Sequence, residues 1–273
     1  MELERTADGS YTLYVPELDE HYHSVKGALT ESQHIFIEMG LKHSSVPEPR
    51  ILEIGLGTGL NAFLTLISAE EIQRKVHYTG IERYPLAEDT WRKLDYPGII
   101  GKGHEEEYRA IHAAAWGEDA VITPWFTLHK VEGDFTEMSG EGECILTHPS
   151  VPSQEGKMDT PAIDDKTAFD KAVFDKTAFD NTPAFDDNIA ADKTAAFDII
   201  YFDAFAPEKQ PEMWEQSLFN TLYKVLNEGG ILTTYCAKGV VRRMLQAAGF
   251  LVERLPGPPG GKREILRATK RTL

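Results

Sequence analysis

The sequence predicts an α/β fold with a mostly parallel seven-stranded sheet, preceded by a β-hairpin and helix extension. Three observations carry this. Apolar runs near 51–54, 76–82, 125–131, 197–203, 231–235, 250–255 and 262–268 read as strands, and helical patterns lie between most of them. That alternation implies a mainly parallel sheet covered on both faces. A glycine turn, Gly55-Leu56-Gly57-Thr58-Gly59, follows the first run and leads into a helix. An acid, Glu82, closes the second run 23 residues after Gly59.

Residues 1–48 form the predicted extension. Asp8-Gly9 between β-prone segments is a hairpin signal. His21 and His23 lack a third ligand at a usual spacing, so no metal is assigned. Thr30 reads as an N-cap with Gln33 three residues on, as in a capping box. Ile35, Phe36, Met39 and Leu41 mark the inner face of a short helix that Gly40 ends. Residues 49–273 form the main domain.

In the glycine turn, glycines permit positive φ and let the backbone approach a ligand closely. The helix that follows, Thr58 to about Arg74, offers unpaired N–H groups at its start. The spacing is G-x-G-x-G, not the G-x-G-x-x-G of a dinucleotide fold. With Glu53 two residues ahead, it resembles the cofactor turn of class I S-adenosylmethionine-dependent methyltransferases, a Rossmann-like fold. Glu53, Gly55, Gly57, Thr58, Gly59 and Asn61 are the candidate cofactor residues here. A strand–turn–helix without a ligand is the alternative. Leu60, Phe63, Leu64 and Ile67 give the helix its core stripe. An acid at the tip of the second strand, here Glu82, hydrogen-bonds ribose hydroxyls in nucleotide-binding α/β folds.

Residues 85–117 read as helical, with Trp91, Leu94, Tyr108, Ile111 and Trp116 as packing positions. After the third strand, Asp134 and Phe135 are placed to bind an adenine amino group and cover its ring. From about 139 to 196 the character changes. Asp-Lys-Thr-Ala-Phe-Asp occurs at 165–170 and again at 175–180, and Asp192 to Asp198 repeats it with one extra Ala. The period is shorter than the ~20–50 residues of a repeat solenoid. It reads as a local tandem expansion in a surface loop, low in complexity and expected to be disordered.

Order returns with the fourth strand, which ends at Asp203. A helix then runs to about Leu226, stopped by Asn227-Glu228-Gly229-Gly230. After the fifth strand, Lys238 to Ala248 is a basic helix closed by Gly249. The Pro256–Gly261 turn leads to the last strand. Ligands in open α/β sheets sit beyond the carboxyl ends of the strands. That rule puts Gly55–Gly59, Glu82, Asp134 and Asp203 on one rim.

Composition narrows the setting. No apolar run approaches the ~20 residues needed to span a bilayer, and the N-terminus lacks a signal-peptide pattern. Cys144 and Cys236 read as free thiols in a reducing cytosol, so a cytoplasmic protein is expected. The net charge of −16 argues against non-specific nucleic-acid binding. Yet residues 238–273 hold nine Lys/Arg against two Glu, a balance of +7. That is the footprint of a localised phosphate-binding face, or else of a solvated helix face and tail.

The segment Asp203-Ala-Phe-Ala-Pro-Glu-Lys-Gln-Pro-Glu-Met-Trp214 resembles the stretch after the fourth strand in the MnmC methyltransferase-domain family. So do Tyr22-His-Ser24, Gly27–Phe36, Gly57–Asn61, Val241-Arg242-Arg243, Ala248-Gly-Phe250 and Gly261-Lys-Arg-Glu264. The resemblance covers nearly the whole chain outside 139–196 and is to stand-alone members, without a separate oxidoreductase domain. It implies methyl transfer from S-adenosyl-L-methionine to the 5-aminomethyl amine of the wobble uridine in the tRNA anticodon. By that resemblance Asp203 is the catalytic residue. Tyr22, Ser24, Phe205, Pro207, Trp214, Arg242, Lys262 and Arg263 are the substrate-binding candidates, with Phe205 and Trp214 as stacking rings. The acceptor is a primary alkyl amine with a pKa near ~10, so only about one part in a thousand is neutral at neutral pH. Asp203 is therefore expected to orient the amine and receive its proton. The alternative is a class I methyltransferase for a small amine or a protein side chain; a binding module that keeps the cradle is a third reading.

Overall fold

The computed structural model describes residues 1–101, 103–138 and 196–272. The first two copies of the ten-residue repeat expected to form a disordered loop lie outside the described residues, as does Cys144; the third copy ends in the buried Ala196 and in Phe197-Asp198, which open a strand of the main sheet.

The N-terminal hairpin forms as the Asp8-Gly9 signal predicts. Strands β1 (Glu2–Arg5) and β2 (Tyr11–Val15) pair antiparallel, and β3 (Glu20–His21) adds to β2. Asp8 closes the turn through Thr6 Oγ1, Ser10 Oγ and the Ser10 amide. It also accepts the Thr30 N–H, so Thr30 is not the helix N-cap. Helix α1 (Ala28–Ser32) starts after Gly27, which has no side chain to cap it, and its first-turn amides are met instead by Asp8 and Ser10 of the hairpin. It continues as a wider π-type helix, Gln33–Leu41, which runs through Gly40. The reason is packing: Gly40 is buried with Tyr201 directly over it, so its missing side chain admits a ring rather than ending the helix.

The main sheet has eight strands where seven were expected. Its order is β10-β11-β9-β8-β4-β5-β7-β6, with β4 (Arg50–Ile54), β5 (Val76–Glu82), β6 (Asp119–Thr123), β7 (Phe126–Glu132), β8 (Phe197–Phe202), β9 (Leu226–Thr234), β10 (Leu251–Pro256) and β11 (Glu264–Thr269). The additional strand is β6, an antiparallel edge partner of β7. It carries a short apolar run, Ala120 to Ile122, but at the sheet edge Val121 is exposed and only Thr123 is buried, so the run is not the signature of a buried strand. β4 pairs parallel with both β5 and β8, and β8 with β9. β11 is antiparallel to both β9 and β10.

Helix α2 (Leu60–Glu71) is almost wholly buried, packing on the π segment and the sheet. The stretch expected to be helical over 85–117 is broken into α3 (Glu88–Trp91), α4 (Tyr96–Ile100) and α5 (Glu105–Ala113). Asp95, at φ 45°, and Gly101 separate the pieces. Trp91, Leu94, Tyr108 and Ile111 are buried as predicted. After β7 comes the short α6 (Phe135–Met138). Helix α7 (Gln216–Val225) stops where its sequence indicates and passes directly into β9, which begins at Leu226, so 227–230 belong to the strand rather than to a turn before it. The Gly229 and Lys270 amides exchange hydrogen bonds with Lys270 and Gly230 carbonyls, drawing those glycines into the sheet edge. Helix α8 (Gly239–Ala248) ends at Gly249, at φ 111°, as its sequence indicates.

The sheet separates two apolar clusters. One joins Leu13, Ile35, Phe36 and Leu41 of the N-terminal segment to Phe63, Tyr78 and Tyr201. The other joins Phe202, Trp214, Phe219 and Leu245. The N-terminal segment thus shares a core with the sheet.

Candidate active site

The carboxyl ends of β4, β5, β7 and β8 open on a cavity of about 640 Å³. That is within the ~300–1,000 Å³ range of small-molecule sites. The turn Gly55–Thr58, Glu82, Asp203 to Pro207, and Tyr22 to Ser24 of the N-terminal segment all line it.

The glycines are required where the chain crowds itself. At Gly55, φ 90°, a Cβ would stand 3.0 Å from the Asp203 carbonyl oxygen. At Gly57, φ 50°, it would stand 3.0 Å from the Tyr22 ring. The first contact lets β4 and β8 end side by side. The second leaves bare backbone beneath an aromatic ring. Glu82 braces the turn: its carboxylate accepts the Gly57 and Tyr84 amides, each at 2.8 Å. Thr58 is held from behind. Its hydroxyl meets His23 Nε2 at 2.8 Å, and the Tyr108 hydroxyl donates to its carbonyl at 3.0 Å. Burial pushes the His23 imidazole down to about 4, so this contact is made by the neutral ring.

Asp203 opens on the cavity while protein surrounds its other sides. Asn61 Nδ2 donates to both Asp203 Oδ2 and Glu53 Oε1, each at 2.8 Å. Two acceptors on that side require the amide nitrogen to face them. Burial pushes the Asp203 carboxyl up to about 7; the Asn61 hydrogen bond and the Lys262 ammonium work against this, and Glu31 with it. Glu53 is fully buried, and burial raises its carboxyl well above the usual range. A carboxyl poised near neutrality in a cleft can hold and release protons at physiological pH.

The structure brings Gly55, Gly57, Thr58, Glu82, Asp134, Phe135 and Asp203 to one cavity, with Tyr22, Ser24, Phe205, Pro207 and Lys262. Tyr22 and Phe205 meet edge to face at 5.1 Å. Asp134 is already engaged, by the Arg83 guanidinium and by Thr136. Glu53 and Asn61 sit beneath the cavity wall and act on it through Asp203. Gly59 is the left-handed start of α2 and faces the His112 ring. Trp214 is buried in the core, with its Nε1 donating to the Phe205 carbonyl at 2.7 Å and its ring against Phe202. Arg242, on α8, and the exposed Arg263 lie outside the cavity.

The sequence reading passed over Glu31, Tyr84 and Tyr235, which also line the cavity. Glu31 had a legible signal. It stands at helical spacing between Ala28 and Ile35, an acid on an apolar stripe, and such a group needs a buried partner. Tyr84 is 62% exposed at the mouth and carries the Arg83 guanidinium over its ring.

The chain resembles known proteins along its length. Residues 181–271 match the family described as S-adenosyl-L-methionine-dependent methyltransferase. The chain is 27% identical over 263 residues to the tRNA 5-methylaminomethyl-2-thiouridine biosynthesis bifunctional protein MnmC of Magnetococcus marinus, covering 94% of this chain and 32% of that protein. It is 26% identical over 272 residues to the MnmC of Burkholderia thailandensis, covering 93% and 33%. It therefore spans about a third of the length of these curated relatives. Among solved structures it is similar to MnmC2 from Aquifex aeolicus, with a TM-score of 0.65 at 19% identity, covering 100% of this chain and 70% of that one. That likeness shows a shared fold. The resemblance to MnmC seen in the sequence motifs thus extends over nearly the whole chain.

Proposed function

We propose that this chain is an S-adenosylmethionine-dependent methyltransferase that methylates the 5-aminomethyl nitrogen of the wobble uridine in tRNA. The observation that carries the reading is Asp203. It is a carboxyl poised near neutrality, fixed by Asn61, at the edge of a glycine-turn cavity in a chain similar to MnmC.

The residues present suit the cofactor. Gly55 and Gly57 line the cavity at the end of β4, and Glu82 brings a carboxylate to the tip of β5. Gly55, Gly57, Thr58 and Glu82 would hold it, with Phe135 buried below. When bound, it supplies an electrophilic methyl group on a sulfonium. The chain's own task is then to present a neutral amine and to take up the proton released. Asp203 serves both ends. Its carboxylate orients the amine, and its raised affinity for protons lets it accept one near neutral pH. Asn61 fixes the carboxylate so that alignment is set before the amine arrives; good alignment of reacting groups supplies roughly 7–11 kcal/mol of barrier lowering.

Tyr22 and Phe205 form an aromatic wall beside Asp203, suited to an extruded base. Among the described residues no helix is long and apolar enough to cross a membrane. A tRNA acceptor assigns the reaction to the cytoplasm, and Arg242, Lys262 and Arg263 to phosphates of the anticodon arm. Incubating undermodified tRNA with the protein and S-adenosylmethionine, then digesting it for nucleoside mass spectrometry, tests the assignment. The expected product is a nucleoside one methyl heavier than 5-aminomethyluridine or its 2-thio form. Unchanged nucleosides beside methylated free amines or protein would overturn it.

A further inference from the structure

Lys262 comes from the turn between β10 and β11, yet its ammonium lies inside the cavity wall. It donates to Glu31 Oε1 and stands 4.3 Å from the centroid of the Tyr235 ring. The Tyr235 hydroxyl donates to the Ala204 carbonyl at 2.9 Å, one residue from Asp203. Glu31 is only 7% exposed, and its other oxygen accepts the Ser24 amide at 2.9 Å. One carboxylate and an aromatic face thus hold one alkylammonium in the cavity that Asp203 also lines, near enough for its charge to lower the Asp203 proton affinity. This is the recognition chemistry of a primary amine.

We propose that Glu31, Tyr235 and Asp203 form the seat of the acceptor's alkylammonium group, and that Lys262 is a resident cation the acceptor displaces. The proposal rests on the aminomethyl acceptor argued above and assigns Glu31 a positioning role. Charge balance favours an exchange. A buried carboxylate stripped of its cation is strongly destabilising. Ammonium for ammonium keeps Glu31 compensated at every stage. The lysine stem is long and flexible, and Lys262 is 37% exposed, so its displaced head has a path to solvent at the mouth. There it becomes free to meet a phosphate, and filling the seat and docking the RNA backbone reinforce each other.

The sign of one substitution separates this from a plain phosphate contact. Propylammonium chloride serves as the probe, titrated calorimetrically into the full chain with S-adenosylhomocysteine, with propanol as the neutral control. Lys262→Met is expected to bind propylammonium at least about tenfold tighter than the unaltered chain, which corresponds to ~1.4 kcal/mol. Glu31→Gln is expected to lose saturable binding. Because Glu31→Gln can loosen the N-terminal segment and Lys262→Met leaves Glu31 without its cation, melting curves accompany both variants, and only variants that melt cooperatively are compared. Equal or weaker propylammonium binding by Lys262→Met overturns the seat, whatever the protein does to tRNA. Tighter binding by Lys262→Met with no methylation of tRNA by the unaltered chain supports the seat and removes the acceptor reading instead.

Discussion

Asn61 Nδ2 lies 2.8 Å from Asp203 Oδ2, although 142 residues separate the two in the chain. The same nitrogen holds Glu53 on its other side, so one amide orders two carboxyls of raised proton affinity. Replacing it has a directional consequence. The Asn61 hydrogen bond lowers the Asp203 pKa, so Asn61→Ala should raise it beyond about 7. The acid limb of the pH–rate profile should move to higher pH, and kcat near neutrality should fall by roughly 10-fold or more, as loss of a bond to a charged group costs ~1.5–3 kcal/mol. An unmoved limb would detach Asn61 from the acid–base group.

Asp203→Asn should separate stability from activity. A carboxyl whose folded pKa is raised above its unfolded value favours the fold while protonated. That stability is fully present below about 3.8 and is lost as pH rises through about 7. Asparagine cannot ionise, so the variant should melt several degrees higher than the parent at about pH 8 and nearly level with it at about pH 4. Methyl transfer should fall by about 10²–10⁴-fold if Asp203 takes the proton. Circular dichroism melts at both pH values, beside single-turnover rates, check the two halves.

Glu82→Ala removes the acceptor of the Gly57 and Tyr84 amides. Binding of S-adenosylhomocysteine, measured by calorimetry, should weaken by about 10–100-fold. Undiminished affinity would take Glu82 out of the cofactor site.

Trp214 and Phe205 should behave oppositely. Trp214→Ala empties a core position beside Phe202 and Phe219, so it should lose ~3–5 kcal/mol of stability. Phe205→Ala, at the cavity, should fold well and raise KM for tRNA, consistent with ~1–3 kcal/mol per stacked base. Denaturant melts and steady-state kinetics on both variants distinguish a core ring from a stacking ring.

Arg242 and Arg263 lie outside the cavity and serve as phosphate contacts on the proposed reading. The double alanine variant should bind tRNA more weakly while keeping its cofactor affinity. The log–log salt slope should flatten by about 0.7–0.9 per lost contact. A fall in melting temperature with an unchanged slope would assign them to the fold instead.

What the sequence determined by itself is local. Positive φ in the turn after β4 depends on glycines within a few residues. The apolar runs of β4, β5 and β8 carry their own burial, and Glu82 ends its strand. These features place one rim of acids and glycines, because the ends of parallel strands fall together. The broken helices over 88–113 and edge strand β6 were less legible, since short half-exposed elements owe their form to neighbours. Tertiary structure alone decided which polar groups meet. Asn61 faces two carboxyls because the first turn of α2 reaches both Glu53 of β4 and Asp203 just past β8. Glu31 meets Lys262 across 231 residues because the N-terminal helix and the β10–β11 turn close over the same cavity. Trp214 turns inward because its indole N–H finds the Phe205 carbonyl within the core. Periodicity reports whether a side chain is buried; only packing selects its partner, and at Asp203 it is burial by that packing that raises the proton affinity, with the Asn61 hydrogen bond holding it back.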